Sequence, residues 1–425
     1  MFLQAYNKRN NKSYDAKQFF IDIFYPLFFN SNKYLYWVQN SPFVQMKKKQ
    51  KVDNLTEEER KEKLYNLITK IENGAKDASV AIGYPASEEK EFATTSGQVT
   101  NIHIPVSEED VYCSWFGAAL GVGVQGGVAI YFYNADILLD VFEGWKLYRE
   151  ALDSYDKYPP NKIMTWNGQW LGHRYDDKDF DASDMMAGFT PFTVKNQEVE
   201  IKPVSWTKIL IGISRNYKNA RVMGYVCGFG QMNTTLGFIP FDLSQISRPI
   251  ELYKKMFGMD SAKSAEPLWG TGMGFREACQ NGAIGLDAMQ PKGLREYIYK
   301  GKIPKISDKN EQIINFNVNV IWLMAMLNNQ DLWDKAHEFA SELYKYASVP
   351  DRGKTVNSNK VKAVLESCTK IGFMKSMIPI IEDAENVDKM KETVKEICSM
   401  PSENVPYFLT LIKFHYATLN NPKKK

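Results

Sequence analysis

From Ile313 onward apolar residues recur at helical spacing, beginning with Ile314, Val318, Ile321, Trp322 and Met326. The segments LWDKAHEFASELYKYA, KVKAVLESCTKIGFM, VDKMKETVKEICSM and NVPYFLTLIKFHYATL follow with short polar connections. This pattern predicts four or five amphipathic helices packed as an antiparallel bundle over 306–425. Before it, GKIPKISDKN at 301–310 has the glycine, proline and polar content of a linker.

Upstream the periodicity is mixed. FFIDIFYPLFF at 19–29 is strongly apolar, and Pro26 is expected to break or bend any helix there. Asn54 or Thr56 is placed to cap a helix with an acidic first turn, whose buried stripe is Leu64, Leu67, Ile68 and Ile71 and whose end is Gly74. Residues 74–112 read as loop, with β-prone pieces around 80–84 and 99–106. Irregular segments of that length inside a domain are usually functional or disordered. A glycine-rich stretch, WFGAALGVGVQGG at 115–127, runs into the strand VAIYFY, and 136–152 is helical through Ile137, Val141, Trp145 and Tyr148. Between 160 and 250 the pattern is one of short strands and turns, including FTVKNQEVEIKP, ARVMGYVCGFGQ and MTWNGQW, where Asn167-Gly168 between Trp166 and Trp170 signals a hairpin. The expected fold class is α+β: a mixed α/β domain with long loops over 1–305, followed by the C-terminal helical bundle.

Composition narrows the function. The chain has 425 residues, 44% hydrophobic and 13% aromatic, which argues against intrinsic disorder. No uncharged apolar run reaches the roughly 18 residues of a membrane span, and the first 20 residues lack a signal-peptide pattern. Five cysteines lie far apart with no CxxC pair, and the four histidines are scattered, so no metal cluster is expected and the implied compartment is a reducing cytoplasm. Net charge is +3, but residues 1–51 carry nine basic side chains, among them Lys47, Lys48, Lys49 and Lys51, against Asp15 and Asp22. Such a local field attracts phosphates; a solvated surface is the alternative.

Three motifs carry candidate chemistry. Gly121-Val-Gly123-Val-Gln125-Gly126 matches G-x-G-x-x-G, but a dinucleotide site needs a helix to open directly after it, and VAIYFY follows instead. A packed tight turn, or a backbone-only loop that approaches a nucleic acid closely, are the other options. Glu200-Ile-Lys202, with Asp179, Asp181 and Asp184 upstream, has the E-x-K spacing of a magnesium-dependent nuclease strand. Polar residues alternate on any solvated strand, however, and Pro203 follows at once. Finally, Met223-Gly224-Tyr225 leads to Gly228 and then Gln231-Met232-Asn233, an amide-rich tip between glycines. Amides read base edges and a flexible apolar side chain wedges between base steps; an idle β-turn tip is the alternative.

In this order the pieces resemble the large subunit of type I CRISPR interference complexes (Cascade), most nearly the type I-E kind. Pro42-Phe43-Val44-Gln45 is similar to the family's Pro-Phe-x-Gln motif, Gly117 through Gly127 to its glycine-rich segment, and Met223-Gly224-Tyr225 through Asn233 to its strand and amide tip. The resemblance implies a non-enzymatic, cytoplasmic prokaryotic protein with no cofactor and no metal. Such a subunit binds guide RNA and double-stranded target DNA and assembles with the backbone and small subunits. It reads the protospacer-adjacent motif, helps open the duplex, and works with a recruited helicase-nuclease. By position, Gly121, Gly123 and Gln125 then face the DNA motif, Gln231, Met232 and Asn233 form the wedge, and Lys47, Lys48, Lys49 and Lys51 meet nucleic-acid backbone. The rival expectation is a metal-dependent DNA nuclease of a defence system using Glu200 and Lys202, and a third is a scaffolding protein whose glycine loops merely pack.

Overall fold

The computed structural model describes residues 1–38, 41–74, 106–176, 180–218, 220–228, 234–307, 309–349, 354–383 and 388–420. It is a mixed α/β protein, mostly helical, with a small antiparallel sheet and a C-terminal helical region. Two compact units emerge: Met1–Phe241 with Cys279–Ala283, and Asp242–Ala278 with Ile284–Lys425. The units divide at 241, and the linker-like segment at 301–310 lies within the second unit.

In the first unit α1 (Phe2–Asn10) precedes a helical run made of α2 (Ala16–Phe19), a π-helical turn over Phe20–Phe24, and α3 (Tyr25–Phe28). Asp15 and Gln18 start this run with a reciprocal capping box. Pro26 does not break it, because the wide π turn sits directly before the position whose N–H is missing. The aromatics of these helices form the core: Phe24 stacks on Phe28 at 4.1 Å, and Phe29 lies parallel to Phe43 at 4.2 Å. Phe43 also meets Trp115 edge-on, and its carbonyl accepts the Tyr34 hydroxyl at 3.2 Å. The Pro-Phe-x-Gln segment is thus anchored by its phenylalanine in the core.

α4 (Glu57–Glu72) begins at Thr56, whose hydroxyl and Glu59 close a capping box. The β-prone pieces at 80–84 and 99–105 lie outside the described residues. α5 (Glu108–Ala119) replaces the loop expected up to 112, because Ser107 and Asp110 cap it reciprocally. Then come β1 (Val122–Val124), β2 (Val128–Phe132), α6 (Ala135–Ser154), α7 (Ile163–Arg174), β3 (Phe192–Lys195), β4 (Glu198–Ile201), α8 (Trp206–Asn216), β5 (Arg221–Gly228) and β6 (Thr235–Asp242). One sheet has the order β1-β2-β5-β6, and β3-β4 is a separate hairpin turning on Asn196 and Gln197, both at positive φ.

The hairpin expected at Asn167-Gly168 is instead the middle of α7. Trp166, Trp170 and Leu171 bury one side of that helix, and Gly168 comes so close to the Gly123 carbonyl that no side chain fits. Tertiary packing of three large apolar groups outweighs a local turn preference.

The chain continues through α9 (Leu243–Phe257), α10 (Met259–Ala265), α11 (Phe275–Gln280), α12 (Leu294–Tyr299), α13 (Asn310–Leu327), α14 (Asp331–Ser348), α15 (Lys354–Glu366), α16 (Lys370–Asp383), α17 (Asp388–Ser399) and α18 (Val405–Leu419). Long-range bonds show why the second unit starts at 242. Arg248 donates to the Ala325 carbonyl, the Trp322 indole to Leu286 at 2.9 Å, and Lys413 to Tyr297 at 2.8 Å. The WGTGMGF loop at 269–275 is a packing device in this unit: Gly272 lies against Gln290, to whose carbonyl its own N–H donates at 2.8 Å. Among the described residues no helix is long and apolar enough to cross a membrane.

Candidate nucleic-acid interface

The G-x-G-x-x-G stretch folds as a β-hairpin. β1 pairs with β2 in the register Val122↔Ile130, Gly123↔Ala129 and Val124↔Val128, and Gly126 and Gly127 make the turn at positive φ. No helix opens after the glycines, so the hairpin lacks the N–H groups that hold a dinucleotide pyrophosphate. Gly121 and Gly123 are buried for packing. A Cβ on Gly121 would lie 2.8 Å from the Tyr131 ring, and one on Gly123 would lie 2.9 Å from the Met164 carbonyl group. Asn167, fully buried on α7, donates its amide to the Ala119 carbonyl at 2.8 Å and to that of Gly121 at 2.9 Å. Of the three expected motif-reading residues only Gln125 is exposed. Its backbone N–H is given to the Val204 carbonyl at 2.9 Å, which leaves the side-chain amide outward.

β5 extends the sheet beside β2, and its last residue, Gly228, pairs with Val128, the first residue after the glycine turn. Gly228 also donates to the Thr234 carbonyl at 2.6 Å, so the chain leaves β5 and returns to β6 at this same end of the sheet. Gln231, Met232 and Asn233 lie outside the described residues. The described residues that flank them, Gly228 and Thr234, lie at the same end of the sheet as the Gln125 turn.

One feature of this sheet escaped the sequence reading. Tyr131 and Tyr225 are cross-strand partners with ring centroids 6.2 Å apart, and Tyr225 meets Phe238 on β6 at 5.3 Å. Phe238 is 74% exposed and Tyr133 72%, and Met223 and Arg221 are exposed on the side of β5 that carries Tyr225. The Tyr131 hydroxyl donates to the Ala118 carbonyl at 3.3 Å and its ring lies across Gly121, so that glycine is a seat for the tyrosine. Apart from Asp242, which caps α9, the four strands carry no carboxylate. The period-2 alternation Arg221, Met223, Tyr225 against Val222, Gly224, Val226 was the available signal.

The lysine run is a fixed turn next to α4. Gln50 donates to the Lys47 carbonyl, Lys47 to the Gln50 side chain, and Asn54 to the Lys49 carbonyl, with Lys49 at φ 73°. Lys47 pairs with Glu62 at 3.0 Å, whereas Lys48, Lys49 and Lys51 are exposed and have no ion-pair partner among the described residues.

Among the described residues Asp181, Asp184 and Glu200 form no metal-holding group. Glu200 pairs with Lys202 at 3.6 Å, and Asp181 accepts from the Ser183 hydroxyl and N–H, which hold its carboxyl below the usual range. Asp184 caps Met186 in its own turn, and Asp179 lies outside the described residues. Among the described residues no group of three His, Cys, Asp or Glu side chains is placed to hold a metal ion. A buried polar node joins α6 and α7 instead: the Tyr175 hydroxyl donates to Asp140 at 2.7 Å, and Arg174 lies 3.7 Å from Asp140 and 3.4 Å from Glu143. Burial, then the Asp140 charge, push the Tyr175 hydroxyl far above its ordinary pKa, so it stays a proton donor to the carboxylate. Compared with known proteins, the chain matches no family model, no curated protein and no solved structure.

Proposed function

We propose that this chain is the non-catalytic large subunit of a type I CRISPR interference complex, most similar to the type I-E kind. In this role it recognises the protospacer-adjacent motif in duplex DNA and helps open the duplex for guide pairing. One observation carries the reading: the Gln125 turn and the two anchors of the 229–233 segment share one end of one sheet, through the Val128↔Gly228 pair. Motif reading and duplex opening must occur at adjacent base pairs, because unwinding nucleates beside the motif. Two neighbouring turns on a common rigid support meet that need. Gln125 faces the motif, Gln231, Met232 and Asn233 wedge the first unpaired step, and the exposed Lys48, Lys49 and Lys51 take backbone phosphate. Opening one step costs about 1–2 kcal/mol, within reach of a wedge and a few phosphate contacts before guide pairing takes over. The C-terminal helices, as an antiparallel bundle, dock beside the small subunits and the displaced strand, and the assembly recruits the helicase-nuclease in a prokaryotic cytoplasm.

The test has two stages. Gentle pull-down of the tagged protein from its host should bring down backbone subunits and a uniform RNA with repeat-derived ends; a lone protein without RNA would refute the assignment. In the reconstituted complex, Gln231→Ala with Asn233→Ala should preserve assembly and weaken R-loop formation, and unchanged R-loops would remove the wedge role.

A further inference from the structure

We infer that the Tyr131–Tyr225–Phe238 row, with Arg221 and Met223 beside it, is a stacking platform for single-stranded DNA. The three rings come from the adjacent strands β2, β5 and β6, so their spacing is fixed by the sheet rather than by loops. Their centroid separations of 6.2 and 5.3 Å exceed the stacked base rise of about 3.4 Å. The row therefore offers bases that have been pulled apart one ring each and has no room for a continuous stack. Stacking needs no particular base, because every base has a π-face, which suits a strand whose sequence varies.

Charge favours a polyanion over an apolar protein partner. Arg221 is exposed on the face that carries Tyr225, it has no ion-pair partner among the described residues, and the one carboxylate the four strands bring, Asp242 at the end of β6, is taken up in capping α9. An obligate protein interface buries its large apolar groups around a dry centre. Here Tyr131 and Tyr225 are fastened by their hydroxyls, to the Ala118 carbonyl and the Thr235 hydroxyl, which sets the rings rigidly while leaving Phe238 standing 74% exposed. Pre-set rings lose little entropy when a base lands on them.

Position links this face to the proposed function, on which the choice of DNA rests. Tyr131 lies three residues along β2 from Val128, about 10 Å from the sheet end that carries the Gln125 turn and the 229–233 anchors. Bases freed at that end reach the row within a few nucleotides, and holding them there slows reannealing.

The experiment uses the full-length protein alone and a dye-labelled oligodeoxythymidine, read by fluorescence anisotropy, with an abasic strand of equal length as comparison. The platform predicts tighter binding of oligodeoxythymidine than of the abasic strand. Tyr225→Ala with Phe238→Ala should weaken it roughly ten- to hundredfold and abolish that preference, while Phe238→Trp retains it. Arg221→Ala should lower the slope of log affinity against log salt by about one. Phe238 is largely exposed, so its truncation is not expected to unfold the sheet; thermal melting checks this, and Phe238→Ala alone replaces the double variant if Tyr225→Ala melts early. Equal binding of the two strands, or unchanged affinity in the folded variant, overturns the platform. A variant that keeps DNA affinity but loses a protein subunit from the complex overturns it in favour of a protein interface. Base-dependent binding by a protein that never co-purifies with guide RNA would leave the platform standing and remove the Cascade reading instead.

Discussion

Replacing Asn167 by alanine probes the joint between α7 and the glycine hairpin. The Asn167 amide donates to two carbonyls, Ala119 at 2.8 Å and Gly121 at 2.9 Å, at a fully buried position. Ala119 is the last residue of α5, so its carbonyl has no helical donor to fall back on. Each buried carbonyl left unpaired costs about 1–3 kcal/mol. One credit offsets this: the Asn167 Oδ1 atom is buried without a partner, and alanine removes it. The net loss is then about 1–3 kcal/mol, which for a unit of this size lowers the melting temperature by roughly 2–12 °C. Gln169→Ala, two residues on, is the control. It removes a half-buried amide that donates to the Lys202 carbonyl at 2.6 Å, where water can replace it, and should cost under about 0.5 kcal/mol. Scanning calorimetry resolves the transition of the first unit, with tryptophan fluorescence following Trp166 and Trp170. An Asn167→Ala protein that melts with the wild type, or a Gln169→Ala protein that loses more, would show that apolar contacts alone hold the hairpin.

Three further outcomes are expected. Gly123→Ala forces a methyl against the Met164 backbone and should destabilise by about 1–3 kcal/mol in denaturant unfolding. Burial, with His337 second, pushes the His415 pKa down from 6.5 to about 4, so the unfolded chain takes up a proton that the folded state refuses. Stability should be full above about pH 6.5 and fall by up to about 3 kcal/mol as pH drops towards 4, a slope that melting curves should find flattened in His415→Leu. Burial likewise lowers the Lys413 pKa, and its ammonium donates to the Tyr297 carbonyl and lies by the Cys368 sulfur, with the Glu366 charge a smaller favourable influence, so Lys413→Met should be neutral or stabilising by about 1 kcal/mol; a loss above about 2 kcal/mol would show that the buried ammonium is net favourable.

What could be read from the sequence was what local chemistry decides. Thr56 and Glu59 announce α4, and the Val222, Gly224, Val226 alternation announces β5. Ser107-Glu-Glu-Asp110 announces α5 just as plainly, and was hidden by the irregular stretch before it. Asn167-Gly168 misled because a two-residue turn signal is local, whereas the helix that replaces it is held by Trp166, Trp170 and the Gly123 carbonyl, brought together only in the fold. The division of the two units at 241 also rests on long-range packing. Gly301 and Pro304 look like linker, yet Trp322 reaches back to Leu286 and Lys413 to Tyr297 across them. The aromatic row needed the register, since nothing in the spacing of Tyr131, Tyr225 and Phe238 says that they are neighbours.

The packing of the hairpin constrains what its turn can recognise under the proposed function. Gly121 seats Tyr131 and Gly123 seats Met164, so neither can approach DNA. The Gln125 N–H is occupied by Val204, and Gly126 and Gly127 bring no side chains. One carboxamide and a bare backbone remain. Such a loop fits the narrow minor groove, which bulkier side chains would enter with difficulty, and there A·T and T·A present the same acceptors. A single amide distinguishes those pairs from G·C through the guanine N2 amino group and cannot orient the pair. The motif this turn reads should therefore be degenerate, tolerating A·T to T·A exchange at the contacted pair and discriminating against G·C. A selection from a randomised motif library that returned a unique base at that pair, dependent on Gln125, would place the reading head elsewhere.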